Sequence, residues 1–199
     1  MKRTLLSLVG FVASVSLVTA AAPPCVPGTL ASYIALGSGG CSIGPVTVAN
    51  FAYSAKTGGG AQQIPPDQIK VAPSIGIPAA ASLSFSANWQ VTSGQTQDSF
   101  IKYTVVGAVT NSGELTLQLG TYQVGFGTAA VRENTNVGNL RVFATCGEVA
   151  CSSKKADKLQ FSPAAVGLQV VDHVRLSAIL GPTSLSGFSA TFDFCPLCV

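Results

Sequence analysis

Residues 83–91 read Leu-Ser-Phe-Ser-Ala-Asn-Trp-Gln-Val. Leu83, Phe85, Ala87, Trp89 and Val91 alternate with small or polar residues, the period-2 pattern of a strand with one face in a core and one toward water. A helix would bury residues three and four apart, and this stretch does not repeat that way. Its neighbours follow the same rule. Val46–Ser54, Ile69–Ala72, Ser99–Val109, Glu114–Leu119, Tyr122–Phe126, Ala129–Glu133, Leu140–Ala144, Leu159–Phe161, Gly167–Ile179 and Phe188–Phe194 all read as strands. The polar, Gly- and Pro-rich stretch from Lys56 to Asp67 reads as a loop, and Asn111-Ser-Gly113 as a turn. Short strands with turn signals about every 8–12 residues predict an all-β fold, an antiparallel β-sandwich. The one helical candidate is Thr29–Leu36, where Leu30, Tyr33 and Ile34 share a face and Gly37 can end the turn.

Composition agrees. Only 10% of the 199 residues are charged and 21 are glycine, which is poor material for helices and good material for strands. Lys2 and Arg3 precede an apolar run from Leu5 to Val18, and Val18-Thr-Ala20 supplies small residues for cleavage. Residues 1–20 are therefore expected to be a secretory signal peptide, with 21–199 a single β-sandwich domain. The apolar run is shorter than the ~20 residues that a membrane span needs. Without Lys2 and Arg3, basic and acidic residues nearly balance. That sum gives no footprint for nucleic acid or an anionic membrane.

Export changes the meaning of the six cysteines, an even count that outside the cytoplasm indicates disulfides. Local spacing favours Cys25 with Cys41 and Cys146 with Cys151, leaving Cys195 and Cys198 in a terminal Cys-Pro-Leu-Cys. A thioredoxin-like pair needs a helix N-terminus to lower the thiol pKa, and this motif follows a strand. A zinc site needs about four ligands, and His173 is the one histidine. A disulfide that ties down the terminus is the reading that needs least.

Three blocks carry a resemblance to a known group: Thr29–Tyr53, Leu83–Val105 (with Trp89, Gly94, Gln95, Asp98 and Ser99), and Cys146 with Cys151. In them the chain resembles bacterial secreted proteins that usually carry a PEP-CTERM sorting signal. The resemblance implies an exported β-rich domain with no activity or cofactor to carry over. It ends before the C-terminus. The chain closes at Phe-Asp-Phe-Cys-Pro-Leu-Cys-Val without Pro-Glu-Pro, an apolar span or a basic tail, so release is expected rather than retention.

Chemistry is sparse elsewhere. Gly125-Phe-Gly-Thr-Ala-Ala130 matches a dinucleotide fingerprint loosely, but no helix opens at its third position, so it reads as a glycine-rich bend. Asp172 and His173 are adjacent on a strand and point to opposite faces, which excludes a triad pair. Asp172 shares a face with Val170 and Val174, which predicts a place near a strand end or a bulge, while His173 and Arg175 are expected on a solvated face. No pair of the eight acids stands out for glycoside hydrolysis. Trp89 and Tyr103 are the candidate ligand-stacking residues, although the phase of Trp89 fits a core. The expected function is a non-catalytic extracellular or envelope protein in a matrix, surface or adhesive role, with extracellular polysaccharide or envelope proteins as partners. The alternative is a carbohydrate- or small-ligand-binding module, marked by Tyr53, Tyr103, Tyr122 and Trp89 on one exposed face. A secreted hydrolase ranks third and needs acids converging in a cleft.

Overall fold

The computed structural model describes residues 21–76, 80–107, 113–161 and 167–193. The expected signal peptide and the terminal Cys195 and Cys198 lie outside the described residues. Among the described residues twelve strands and one short helix follow one another as β1 (Gly28–Thr29), α1 (Leu30–Ala35), β2 (Cys41–Ile43), β3 (Val46–Gly58), β4 (Lys70–Ile75), β5 (Ala81–Val91) and β6 (Thr96–Gly107). Then come β7 (Gly113–Leu119), β8 (Tyr122–Thr135), β9 (Asn139–Cys146), β10 (Cys151–Lys154), β11 (Ala156–Phe161) and β12 (Gly167–Asp193). All pairings between them are antiparallel.

The helix forms where the sequence places it. Thr29 caps it through a reciprocal capping box with Ser32, Leu30 and Tyr33 are buried, and Gly37 follows its end at φ +59°.

β12 organises everything else. On one flank its first half pairs with β6 and its second half with β5. On the other flank β8 and then β7 run along it. The chain from Ala81 to Gly107 thus follows β12 from end to end, interrupted only at Thr92–Gln95. Opposite that interruption β12 slips register twice, between Ala178 and Thr183, where Gly181 sits at φ +78°. Here the sheet folds over. Phe85 and Tyr103, on either side of the interruption, approach to 5.9 Å, and Trp89 Nε1 donates to Ser99 Oγ at 3.3 Å across the same interior. The result is an antiparallel β-sandwich. One layer holds β2, β3, β6, the first half of β12, β8, β9 and β10; the other holds β1, β4, β5, the second half of β12, β7 and β11.

Several expected boundaries change. Tyr122–Phe126 and Ala129–Glu133 are one strand, as are Gly167–Ile179 and Phe188–Asp193. The glycines read as a bend allow that continuity: a Cβ on Gly127 would sit 2.2 Å from the Ser177 carbonyl oxygen. Strand β3 runs on past Ser54 to Gly58, into the stretch read as loop, and carries a bulge between Ala49 and Ala52. The bulge residue Asn50 takes φ +56°, tolerated by asparagine, and its Nδ2 donates to Thr104 Oγ1. Strands β1, β2 and β10 are too short to leave a periodic signal. The disulfides Cys25–Cys41 and Cys146–Cys151 form as the spacing indicated, the second across directly paired residues of β9 and β10.

Candidate functional site

Trp89 is 0% exposed and Tyr103 2%. Phe188 packs near the Trp89 ring; Phe51, Phe85 and Phe192 surround Tyr103. This corrects the stacking assignment of both residues, since neither ring offers a face to a ligand. Their inward phase on β5 and β6 is the reason. Tyr53 and Tyr122 are half-buried: the Tyr53 hydroxyl donates to the Ile64 carbonyl at 2.7 Å, and the Lys155 ammonium lies 6.0 Å from the Tyr122 ring. The four aromatics do not form one exposed face.

Asp172 departs from expectation in a more informative way. It lies mid-strand and fully buried, directly opposite Glu133 on β8, which is 1% exposed. With the Tyr103 hydroxyl they form a buried cluster of oxygens that meet no partner outside the cluster among the described residues. The three groups lie near enough to bias one another's protonation. Burial pushes the Asp172 carboxyl up to about 7, partly opposed by the Tyr103 hydroxyl and the Glu133 carboxyl, which lie close enough to donate toward it. Burial and then the Asp172 charge push Glu133 well above the carboxylate range. The Tyr103 hydroxyl is raised by burial first, then by both acids. Two acids do converge here, but between the layers and not in a cleft. A substrate has no approach to them in this arrangement.

The opposite face of the same strands is very different. His173 and Arg175 alternate outward from Asp172, and the registers extend their rows in both directions. Lys56, Asp98, Arg175, Ala130 and Phe143 lie side by side across β3, β6, β12, β8 and β9. In the next row stand Ser54, Phe100, His173, Arg132 and Arg141, and beyond it Lys102 faces Val171. Across these five strands one outer face therefore carries Lys56, Lys102, Arg132, Arg141 and Arg175 against one acid, Asp98; at its β10 edge Lys154 continues the row and pairs with Asp157, which also accepts from the Arg141 amide. Antiparallel partners on one face stand about 5 Å apart, so Arg132 and Arg141 put like charges directly opposite each other. Neither makes an ion pair among the described residues.

The centre of this face is built, not merely solvated. His173 Nε2 and Asp98 Oδ1 lie 2.6 Å apart, and the imidazole stacks on Phe100 at 4.2 Å with an interplanar angle of 14°. Arg175 Nε reaches the same Asp98 oxygen only at 4.0 Å, leaving its guanidinium exposed. The Arg141 guanidinium lies 4.9 Å from the Phe143 ring centroid, a cation–π contact between residues two apart on β9. Between Arg132, Arg141, His173 and Arg175 runs a groove of about 260 Å³, with Thr128 and Ser177 at one side. Guanidiniums around a groove suit a carboxylate or sulfate ligand, which a guanidinium binds through two parallel hydrogen bonds.

Sequence reasoning placed His173 and Arg175 on an outer face and missed what stands beside them. Lys56, Lys102, Arg132 and Arg141 are far apart in the chain, and only the strand registers bring them together. The outward phase of Arg132 and Arg141 was legible; the order of the strands was not.

No protein-family model matches the chain, and no curated protein matches it significantly. Among solved structures, one described as "Structural basis for the promiscuous specificity of the carbohydrate-binding modules from the beta-sandwich super family" is 9% identical, with a TM-score of 0.24. The match covers 88% of this chain and 62% of that one, less than two thirds of its length. A likeness at that TM-score carries no argument.

Proposed function

We propose that the chain is an exported, non-catalytic binding protein of the extracellular matrix or cell surface that holds an acidic polysaccharide on the outer face of β3, β6, β12, β8 and β9. The observation that carries this reading is the gathering of five basic side chains with one acid on a single face, while the remainder of residues 21–199 is acidic, with four basic residues against seven acids. The two disulfides suit an oxidising compartment. Among the described residues no helix is long and apolar enough to cross a membrane. The resemblance to exported β-rich proteins points the same way. A polysaccharide carrying one carboxylate or sulfate per sugar presents charge at intervals that rows of arginine and lysine can follow. The half-buried Phe100–His173 stack adds a flat floor between them.

Binding of a fluorescent acidic polymer such as polygalacturonate, measured against neutral dextran, tests this. The acidic polymer should bind and the neutral one should not, with affinity falling steeply as salt screens the exposed charges. An exposed ion pair contributes up to about 1 kcal/mol, so R132A/R141A should weaken binding roughly tenfold. K70A, exposed on β4 in the other layer, should change little. Equal binding of dextran, or an R132A/R141A protein that binds as well as the parent, would sink the reading.

A further inference from the structure

A second concavity has a different chemistry. Strand β4 leaves β5 at Ser86, so Ala87–Val91 have a strand partner only on the β12 side among the described residues. The connection from β3 to β4 passes along this open edge. Between them lies a groove of about 520 Å³, inside the range of ~300–1,000 Å³ usual for ligand clefts. Seven carboxamide side chains line it, Asn88, Gln90 and Gln97 among them, and no charged or aromatic side chain does.

Gln97 singles the groove out. It is 1% exposed, and its Nε2 donates to the Gln62 backbone carbonyl at 3.0 Å. A carbonyl only accepts, so that contact fixes which end of the amide is nitrogen. The other end, Oε1, is a buried acceptor without a partner among the described residues. Buried acceptors are ordinarily satisfied, and this one lacks a donor. Nearby amides are already engaged: Gln95 Oε1 accepts from the Thr92 amide at 2.9 Å, and Gln63 Nε2 donates to the Ala55 carbonyl. The side chains of Asn88 and Gln90 are exposed and make no hydrogen bond among the described residues.

We propose that this groove, whose lining also holds the buried Gln97, is a binding site for a neutral saccharide chain, with sugar hydroxyls pairing with the exposed amides of Asn88 and Gln90. Hydroxyls and carboxamides both donate and accept, so a row of one matches a row of the other. The absence of charge from the lining separates the site from the basic face and its acidic ligand. A peptide is the poorer fit. Ile64 is the one large apolar side chain in the lining, whereas protein partners anchor on aromatic and apolar pockets and an added strand needs them at alternate positions.

The test uses the intact, disulfide-bonded protein, titrated with neutral gluco-, xylo- and mannohexaose while side-chain amide NMR signals and binding heat are followed. At least one of these sugars should shift the carboxamide signals, with an affinity that does not change with salt. Loss of two exposed hydrogen-bonding side chains in N88A/Q90A should weaken it about tenfold. Both positions are exposed, so a melting curve like the parent's will show the fold intact; Q97L, at a buried position, is read only beside that variant. R132A/R141A should bind the neutral sugar normally, which separates this site from the basic face. The proposal is overturned if none of the three sugars binds at millimolar concentration, if N88A/Q90A binds unchanged, or if only a peptide or an acidic hexasaccharide shifts the carboxamide signals.

Discussion

Asp172 and Glu133 put two carboxyl groups at positions where a sandwich interior ordinarily takes leucine or valine. Desolvation makes this costly unless the groups stay neutral or share charge with neighbours. The direction of the linkage follows from the raised values. Unfolded, both acids lose their protons near pH 4; folded, Asp172 holds its proton up to about 7 and Glu133 well above its ordinary range. The native state binds more protons, so this contribution is fully present below about pH 4 and is lost as pH rises through about 7. Two other carboxyls sit below their ordinary values and work in the opposite sense at lower pH. Glu114 is held down by the ammonium of Lys158. Burial raises Asp157, but Lys154 and the backbone amides of Arg141 and Lys158 together lower it by more. Both lie near the surface and contribute little. Urea midpoints should therefore fall between pH 4 and pH 8, by an amount corresponding to a few kcal/mol. The neutral pair D172N/E133Q should flatten that fall. A slope that survives in the double variant would show that the pair does not titrate as described.

At the scale of elements, the crease in the sheet depends on backbones approaching more closely than side chains allow. Gly127 of β8 lies against β12 where the register slips, and a Cβ there would meet the Ser177 carbonyl oxygen at 2.2 Å and the Thr183 hydroxyl at 2.9 Å. G127A should therefore destabilise the fold by roughly 1–3 kcal/mol, the usual cost of forcing atoms into a packed site. G147A is the control, because its nearest neighbour would stand at 3.7 Å. Equal melting temperatures for the two variants would show that β8 can move away from β12 at no cost. The sequence made the strands on either side of this crease legible, because Leu83 to Val91 alternates without a break. It did not show that Tyr122–Phe126 continues into Ala129–Glu133, since glycine signals a bend and a close approach equally well. Asp172 was misplaced for a related reason. Its inward phase was readable, but the acid opposite it belongs to β8, and pairing between distant strands leaves no trace in local periodicity. Arg132 and Arg141 escaped notice in the same way.

At the scale of the whole molecule, the C-terminal strand is the centre of the structure. β12 pairs with β5, β6, β7 and β8, and its Phe188 and Phe192 stack into the aromatic interior with Phe85, Trp89 and Tyr103. Until it is in place, four strands lack their common partner and the two layers have no shared spine. Folding must then wait for contacts between residues far apart in sequence, which places a sandwich of this kind in the slow range of about milliseconds to seconds. A chain covering residues 21–166 should consequently lack a cooperative melt and leave Trp89 open to quenching by iodide. Adding a peptide of residues 167–193 should restore both the melt and the protection of Trp89, because the missing strand brings its own backbone donors and acceptors and the aromatic side chains that fill the interior. In the full-length protein iodide should quench Trp89 weakly, in keeping with its complete burial. If the 21–166 chain alone melts cooperatively with Trp89 protected, the layers hold without β12, and its central place in the pairing is not what stabilises them.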